Sequence, residues 1–341
     1  MIEPIKTTVD QRGRAIRDLR ISVTDRCNFR CVYCMPKHLF GSDHAFLDRK
    51  QLLSFEEIER VARAFVANGV RKLRITGGEP LVRREIEKLI TQLAAIGGVE
   101  DLSLTTNGSL LTADRARALR EAGLKRVTIS LDALDNDIFK AINDVKFPVG
   151  RVLDAVNNAR TAGLDPVKVN MVVVRGSNDG EILPMAEHFR NNGVILRFIE
   201  YMDVGTSNGW NMEQVVSAAE ISEIVNEEFP ILPVAPGYRG EVAKRWRYID
   251  GAGEIGIISS VTQPFCGTCT RARISAEGQV YTCLFASQGH DLRELVRSEI
   301  DDRELAQAIA QIWRRRDDRY SEIRSDATSA IPKIEMSYIG G

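Results

Sequence analysis

The sequence has 341 residues, of which 44% are apolar and 27% charged, and its formal net charge is −1. That length suits one large domain or a large domain with a smaller one, and the composition excludes wholesale disorder. The near-neutral balance gives no global basic field for DNA or RNA, although local basic clusters can still hold a small anion.

The first residues, Met1-Ile2-Glu3-Pro4-Ile5-Lys6, contain no apolar run of the kind a signal peptide needs. No stretch approaches the ~20 apolar residues that cross a bilayer. The expectation is a cytoplasmic protein. From residue 17 to about 200, short apolar strands alternate with amphipathic helical patterns. The pattern predicts a strand over Leu19–Val23, a helix over Phe55–Asn68 capped by Ser54, a strand over Lys72–Thr76 and a helix over Arg83–Ala95. Leu102–Thr105 and Thr112–Ala122 follow, then Arg126–Leu131 with helical turns at Ile138 and over Arg151–Ala162. Val167–Val174, Glu181–Asn191 and Ile195–Glu200 complete the series. Gly69, Gly123, Gly163 and Gly193 stand where helix C-caps are expected.

Six strand–helix units imply parallel βαβ connections and the α/β class, as an incomplete or full (β/α) barrel. A doubly wound open sheet fits the same periodicity. After Asp203 the texture changes. Gly205–Asn211 and Pro230–Gly240 read as irregular, while Trp246–Ile249, Gly256–Ser260, Ala272–Ser275 and Gln279–Tyr281 read as short strands. Helical patterns return at Leu292–Ile300 and Arg303–Arg315, and the charge run from Arg314 to Arg319 reads as a solvated helix end.

The six cysteines fall into two triplets, Cys27, Cys31 and Cys34 as C-x3-C-x2-C, and Cys266, Cys269 and Cys283 as C-x2-C-x13-C. A reducing compartment argues against disulfides. Thiolates suit zinc or iron–sulfur centres, and structural zinc usually takes four ligands where each triplet offers three. A histidine or distant cysteine completing a zinc site is the bland alternative. Three thiolates on a four-iron cubane would leave one iron open to another molecule. Thr76-Gly77-Gly78-Glu79-Pro80 follows the second predicted strand, and Glu79 stands where an ammonium group could be received. Arg271 and Arg273 are two apart on a predicted strand and so share a face. No Walker-type phosphate loop is present, which leaves a GTPase reading without support.

The first triplet with Tyr33, followed by the Thr76–Pro80 turn, resembles the radical S-adenosylmethionine (SAM) superfamily. Both triplets, Thr105–Gly108, Lys168-Val169-Asn170, Leu196–Glu200 and the terminal Gly340-Gly341 together resemble the GTP 3′,8-cyclase family of molybdenum cofactor synthesis. The resemblance covers nearly the whole chain. It implies an incomplete (β/α)6-type TIM barrel over residues 1–205, and a smaller α+β region over 206–341 carrying a second iron–sulfur cluster. It implies two [4Fe–4S] clusters on the six cysteines, SAM held by Tyr33, Gly78, Ser130 and Met202, and GTP held by Arg20, Arg74, Thr105, Lys168, Arg271, Ala272 and Arg273, with Arg197 less firmly drawn in. It further implies a lyase fed by a flavodoxin or ferredoxin system, and a cyclic pyranopterin monophosphate synthase acting on its product. It implies no membrane or nucleic-acid partner, a monomer or homodimer, and a glycine tail threading the active site. A peptide-modifying radical SAM enzyme and a non-catalytic iron–sulfur or zinc protein are the rival readings.

Overall fold

The computed structural model describes residues 7–325 and 331–340; Met1–Lys6 and Gly341, on which two of the expectations above fall, lie outside them. Twelve strands form one open sheet in the order β12-β11-β10-β1-β2-β3-β4-β5-β6-β9-β8-β7. The expected series is its middle: β1 (Asp18–Ser22), β2 (Lys72–Thr76), β3 (Asp101–Thr106), β4 (Arg126–Ser130), β5 (Lys168–Val173) and β6 (Ile195–Glu200), all parallel. The residues after 205 extend this sheet at both edges. β9 (Glu254–Ile258) joins β6 and β10 (Arg271–Ile274) joins β1, both in parallel. Antiparallel β7 (Ile231–Val234) and β8 (Lys244–Tyr248) finish one side, and β11 (Gln279–Tyr281) and β12 (His290–Asp291) the other.

Side chains of a strand alternate between faces, and here the two faces differ sharply. Leu19, Ile21, Leu73, Ile75, Leu102, Leu104, Val127, Ile129, Val169, Met171, Leu196 and Phe198 are buried in one core against the helices. The intervening positions, among them Arg20, Arg74, Arg126, Lys168 and Arg197, turn into a cavity of about 350 Å³. Parallel sheets usually read as continuous apolar runs. An alternating one has a hollow inside to fill.

The helices pack outside. α1 (Phe55–Ala67) starts on a capping box in which Ser54 and Glu57 satisfy each other's backbone N–H. α2 (Ile86–Ala94) begins later than Arg83, because Pro80–Val82 forms a separate 3-10 turn and Arg83 itself is extended. α3 (Ala113–Glu121), α4 (Asn136–Asn143), α5 (Val149–Thr161) and α6 (Ile182–Phe189) follow their strands. α7 (Ala218–Glu228) is a helix where none was expected, capped by Ser217 with Glu220 in its first turn. β7 lies within the stretch read as irregular; Pro233 lacks a backbone N–H and is tolerated because β7 is an edge strand. α8 (Arg293–Arg297) and α9 (Asp302–Arg314) pack against α1, and a short helix, α10 (Met336–Ile339), follows them.

Candidate active site: two cysteine triplets on one cavity

Cys27, Cys31 and Cys34 lie on the loop after β1. The loop is held locally by Cys34 and Met35 N–H groups donating to the Cys31 carbonyl at 2.9 Å, and by Arg30 Nη1 donating to the Cys27 carbonyl at 2.7 Å. Val32 and Arg30 N–H groups tie it to the end of α4, at the carbonyls of Ile142 and Asn143. Burial, reinforced by Glu79, pushes the Cys27 thiol up to about 11, and burial drives Cys31 and Cys34 up as well. Such thiols ionise when a metal centre supplies positive charge, which suits a soft thiolate-bound cluster. No three His, Cys, Asp or Glu side chains among the described residues converge on a single metal ion. All six cysteines instead line the one cavity.

The turn after β2 approaches the cysteine loop closely. Gly78 N–H donates to the Thr24 carbonyl at 2.9 Å, and a Cβ on Gly78 would overlap the Arg26 carbonyl. Glu79 departs from its expected use. Its carboxylate is 1% exposed and does not line the cavity; it accepts from Leu81 N–H, Thr106 Oγ1 and Asn107 N–H at 2.7–2.9 Å. It therefore braces the Thr105–Gly108 turn, with those donors filling the place of a ligand ammonium. Tyr33 donates to Asp132 Oδ2 at 2.7 Å, which fixes its ring beside the triplet. Tyr33, Gly78, Ser130 and Met202 all face the cavity.

Cys266 and Cys269 sit in a 3-10 turn after β9, and Cys283 follows β11. Beneath them is a charged network that corrects the reading of residues 314–319 as a solvated helix end at two positions: Arg314, Arg315, Asp317 and Arg319 are exposed, but Arg316 is buried and Asp318 partly so. Arg316 is 4% exposed, donates to the Cys269 carbonyl at 2.8 Å and pairs with Asp318 at 3.0 Å. Arg14 donates to the carbonyls of Cys266 at 3.0 Å and Asp318 at 2.8 Å, and Asp10 accepts from Arg14. The run turns back under the second triplet because α9 ends at Arg314, and the chain beyond it is anchored by Arg12 and Arg14. Burial would push the Cys269 thiol up, but Arg271 and Arg316 outweigh it and bring it down to about 7.

Between the triplets the cavity is cationic. Register places Arg20 beside both Arg74 and Arg273. Burial lowers Arg20, with Arg273, Arg74 and Arg271 adding like-charge repulsion, and lowers Arg74 and Arg273 to about 10 each. Lys168 falls to about 7 through burial and then Arg197, Arg126 and Arg74. Arg271 Nη1, Arg273 Nε and Nη1, Arg197 Nε, Thr105 Oγ1 and Asn170 Oδ1 are buried without a hydrogen-bond partner. Buried polar groups of this kind are costly unless a ligand brings their partners, an acceptor for the guanidinium nitrogens and a donor for the Asn170 oxygen. Ala272 differs from the other expected contacts: its side chain packs in the core, leaving only its backbone for a ligand. Arg126, Lys72 and Asn170 also line the cavity and were not singled out from sequence as ligands. Their even-numbered strand positions, in phase with Arg74 and Lys168, were the available signal.

An open α/β barrel whose first loop presents three cysteines to a ligand-sized cavity is the framework of the radical SAM enzymes, and the comparisons agree. Residues 21–189 match the family model for the Radical SAM superfamily, and residues 194–322 that for Molybdenum Cofactor Synthesis C. The chain is 53% identical to the GTP 3′,8-cyclase of Acidothermus cellulolyticus, with all of both chains covered. It is 50% identical to that of Staphylococcus carnosus, over 99% of this chain and 100% of the relative. The chain belongs to the GTP 3′,8-cyclase family of radical SAM enzymes, a class whose cofactors are SAM and a [4Fe–4S] cluster. Among solved structures, SuiB of Streptococcus suis bound to S-adenosylmethionine superposes with a TM-score of 0.64, covering 92% of this chain and 69% of that one at 16% identity. Native anSMEcpe with bound AdoMet gives 0.55, covering 84% and 82% at 15% identity. These two establish the fold alone. No helix among the described residues is long and apolar enough to cross a membrane.

Proposed function

We propose that this chain cyclises GTP to (8S)-3′,8-cyclo-7,8-dihydroguanosine 5′-triphosphate, the first step of molybdenum cofactor synthesis. The carrying observation is the set of buried guanidinium nitrogens of Arg271 and Arg273 without a hydrogen bond, beside the second triplet and in the same cavity as the first. Cys27, Cys31 and Cys34 would hold the SAM-binding cluster, with Tyr33, Gly78, Ser130 and Met202 around SAM. Cys266, Cys269 and Cys283 would hold a second [4Fe–4S] cluster, which would bind the substrate on the guanine side. When bound, the reduced first cluster and SAM would supply carbon-radical chemistry at the ribose 3′ carbon, and the radical left after that carbon bonds to guanine C8 would take up one further electron and a proton to give the dihydro product.

The protein contributes orientation and water exclusion. Arg20, Arg74, Lys168, Arg271 and Arg273 meet the triphosphate through charge-assisted hydrogen bonds, with Thr105 and the Ala272 backbone beside them. Arg197 belongs to the same cationic wall. The division into a radical SAM partial barrel over 1–205 and a second-cluster, substrate-binding region over 206–341 is a division of labour, since the two share one sheet. The wider setting in this proposal is cytoplasmic, without membrane or nucleic-acid partners, as a monomer or homodimer. A flavodoxin or ferredoxin system supplies electrons, and a cyclic pyranopterin monophosphate synthase consumes the product.

The test is anaerobic incubation of the reconstituted enzyme with SAM, dithionite and GTP, read by mass spectrometry. GTP-dependent 5′-deoxyadenosine together with a cyclised nucleotide supports the proposal. Deoxyadenosine with unaltered GTP refutes the substrate assignment.

A further inference from the structure

Asp203 follows Met202 directly near the start of the loop leaving β6, and its side chain turns away from the cavity into a cluster of donors from the C-terminal segment. It is 3% exposed. Its Oδ1 accepts from Arg324 Nε at 3.0 Å, while Oδ2 accepts from Lys333 Nζ at 3.1 Å and from the Tyr320 hydroxyl. One buried carboxylate thus gathers three side chains lying 117 to 130 residues further along the chain. A lone surface ion pair does not do this; the geometry is that of a clasp.

What the clasp holds leads to the second triplet. The Tyr320 ring stacks on Phe285, with centroids 4.5 Å apart and planes inclined by 24°. Phe285 N–H in turn donates to Cys283 Sγ at 3.5 Å. Arg324 reaches the Ser260 carbonyl at 3.2 Å, fastening the end of β9 to the same point. On the other side Met202 and Val204 line the cavity. The next residues repeat the device: Thr206 N–H and Ser207 Oγ donate to Glu335 at 2.9 and 2.7 Å. Ile334 N–H reaches the Ala286 carbonyl at 3.0 Å.

We infer that Asp203 is a positioning residue that sets the Cys283 loop and the 331–340 segment in register with the Met202 side of the cavity. This rests on the reading of the cavity as a joint SAM and GTP site. In that reaction a carbon radical formed on one wall must meet a hydrogen held from the other. A misplacement of about 1 Å costs roughly 100-fold in such a step. Of SAM's contacts, Tyr33, Gly78 and Ser130 lie on other elements, and Met202 keeps a hydrogen bond of its own, from Asn208 Nδ2 to its carbonyl at 3.0 Å, that does not pass through Asp203. Loss of the clasp therefore uncouples the two halves of the reaction while leaving SAM cleavage in place.

The experiment compares the wild-type holoenzyme with D203N and Y320F, measuring 5′-deoxyadenosine and cyclised nucleotide in the same anaerobic reaction. Amide hydrogen exchange over residues 331–340 is measured in parallel, as a readout that needs no turnover. Y320F removes one hydroxyl and keeps the ring stack, so it carries the test even where D203N does not fold. The expected result is a deoxyadenosine-to-product ratio raised at least ~10-fold in either variant, an unchanged KM for SAM, and faster exchange over 331–340. A wild-type ratio in the folded variants, or both products falling in step, overturns the assignment. A wild-type enzyme that makes deoxyadenosine but no cyclised nucleotide defeats the GTP reading instead. The exchange data then decide the Asp203 clasp alone, with unchanged exchange counting against it.

Discussion

Arg316 donates a hydrogen bond from Nη1 to the carbonyl oxygen of Cys269 at 2.8 Å, from a side chain almost wholly withdrawn from water. A charge run at a helix end thereby becomes the floor of a cysteine triplet. The contact fixes the turn that aims two thiols at the cavity, and its positive charge favours the thiolate form of Cys269.

R316Q should therefore weaken the second cluster and spare the first. Loss of a contact supporting a metal ligand costs about 10–100-fold in affinity. Iron after anaerobic reconstitution is expected to fall from about eight toward about four atoms per chain, as it would for C283S. Unchanged iron in R316Q would show the network to be structural only.

Arg273 gives a prediction with two signs. Its side chain is 4% exposed, burial and then Arg271 lower it while the Cys269 and Cys283 thiols act the other way, and two of its nitrogens have no hydrogen-bond partner. Replacing an uncompensated buried charge with an apolar side chain of similar volume removes a folding cost. R273M is expected to melt higher than the wild type without ligand, in a thermal scan. The same variant loses a charge-assisted hydrogen bond to phosphate, which raises the dissociation constant for GTP by roughly ten- to a hundredfold. SAM binding should not change.

Lys168 links binding to pH. Its amine is lowered from the ordinary 10.5 to about 7 by burial and then by Arg197, Arg126 and Arg74. Between about 7 and 10.5 the unfolded chain holds this proton and the folded chain does not. Stability without ligand therefore gains from this group as pH rises through that window. Triphosphate binding favours the protonated amine, so GTP affinity falls as pH rises above about 7. Titration calorimetry in buffers of differing ionisation enthalpy should show proton uptake on binding, and K168M should abolish that component.

The alternation of Leu19, Arg20 and Ile21, or of Leu73, Arg74 and Ile75, was legible as strand, and the structure adds that its polar phase faces a cavity. Lys72–Thr76 and Ile195–Glu200 were bounded as the structure bounds them, because Gly-containing turns and capped helices flank them. α7 was missed although Ser217 and Glu220 form an N-terminal signature, since its apolar residues are sparse. The burial of Arg316 had no local signal. It depends on Asp10 and Arg14, some 300 residues away, and no periodicity carries contacts of that range. The brace made by Glu79 was hidden for the same reason, its partners lying on the next strand's loop.

Gly340 reports on the tail. It is buried with φ at +74°, and a Cβ there would overlap Thr76 Cγ2 at the mouth of the Thr76–Pro80 turn. G340A should unseat the segment, at a cost of at least ~1 kcal/mol, because an L side chain resists that backbone as well as the contact. Hydrogen exchange over residues 331–340 is expected to rise, with iron content unchanged. Retained protection would mean that Thr76 yields instead.

The most direct measurement of the central claim follows a single hydrogen. GTP deuterated at the ribose 3′ carbon is incubated anaerobically with the reconstituted enzyme, SAM and dithionite, and the 5′-deoxyadenosine is weighed by mass spectrometry. One deuterium in that product, in step with the cyclised nucleotide, is the result expected of two triplets acting across one cavity. Deoxyadenosine without deuterium, formed while the label stays on the nucleotide, would contradict it.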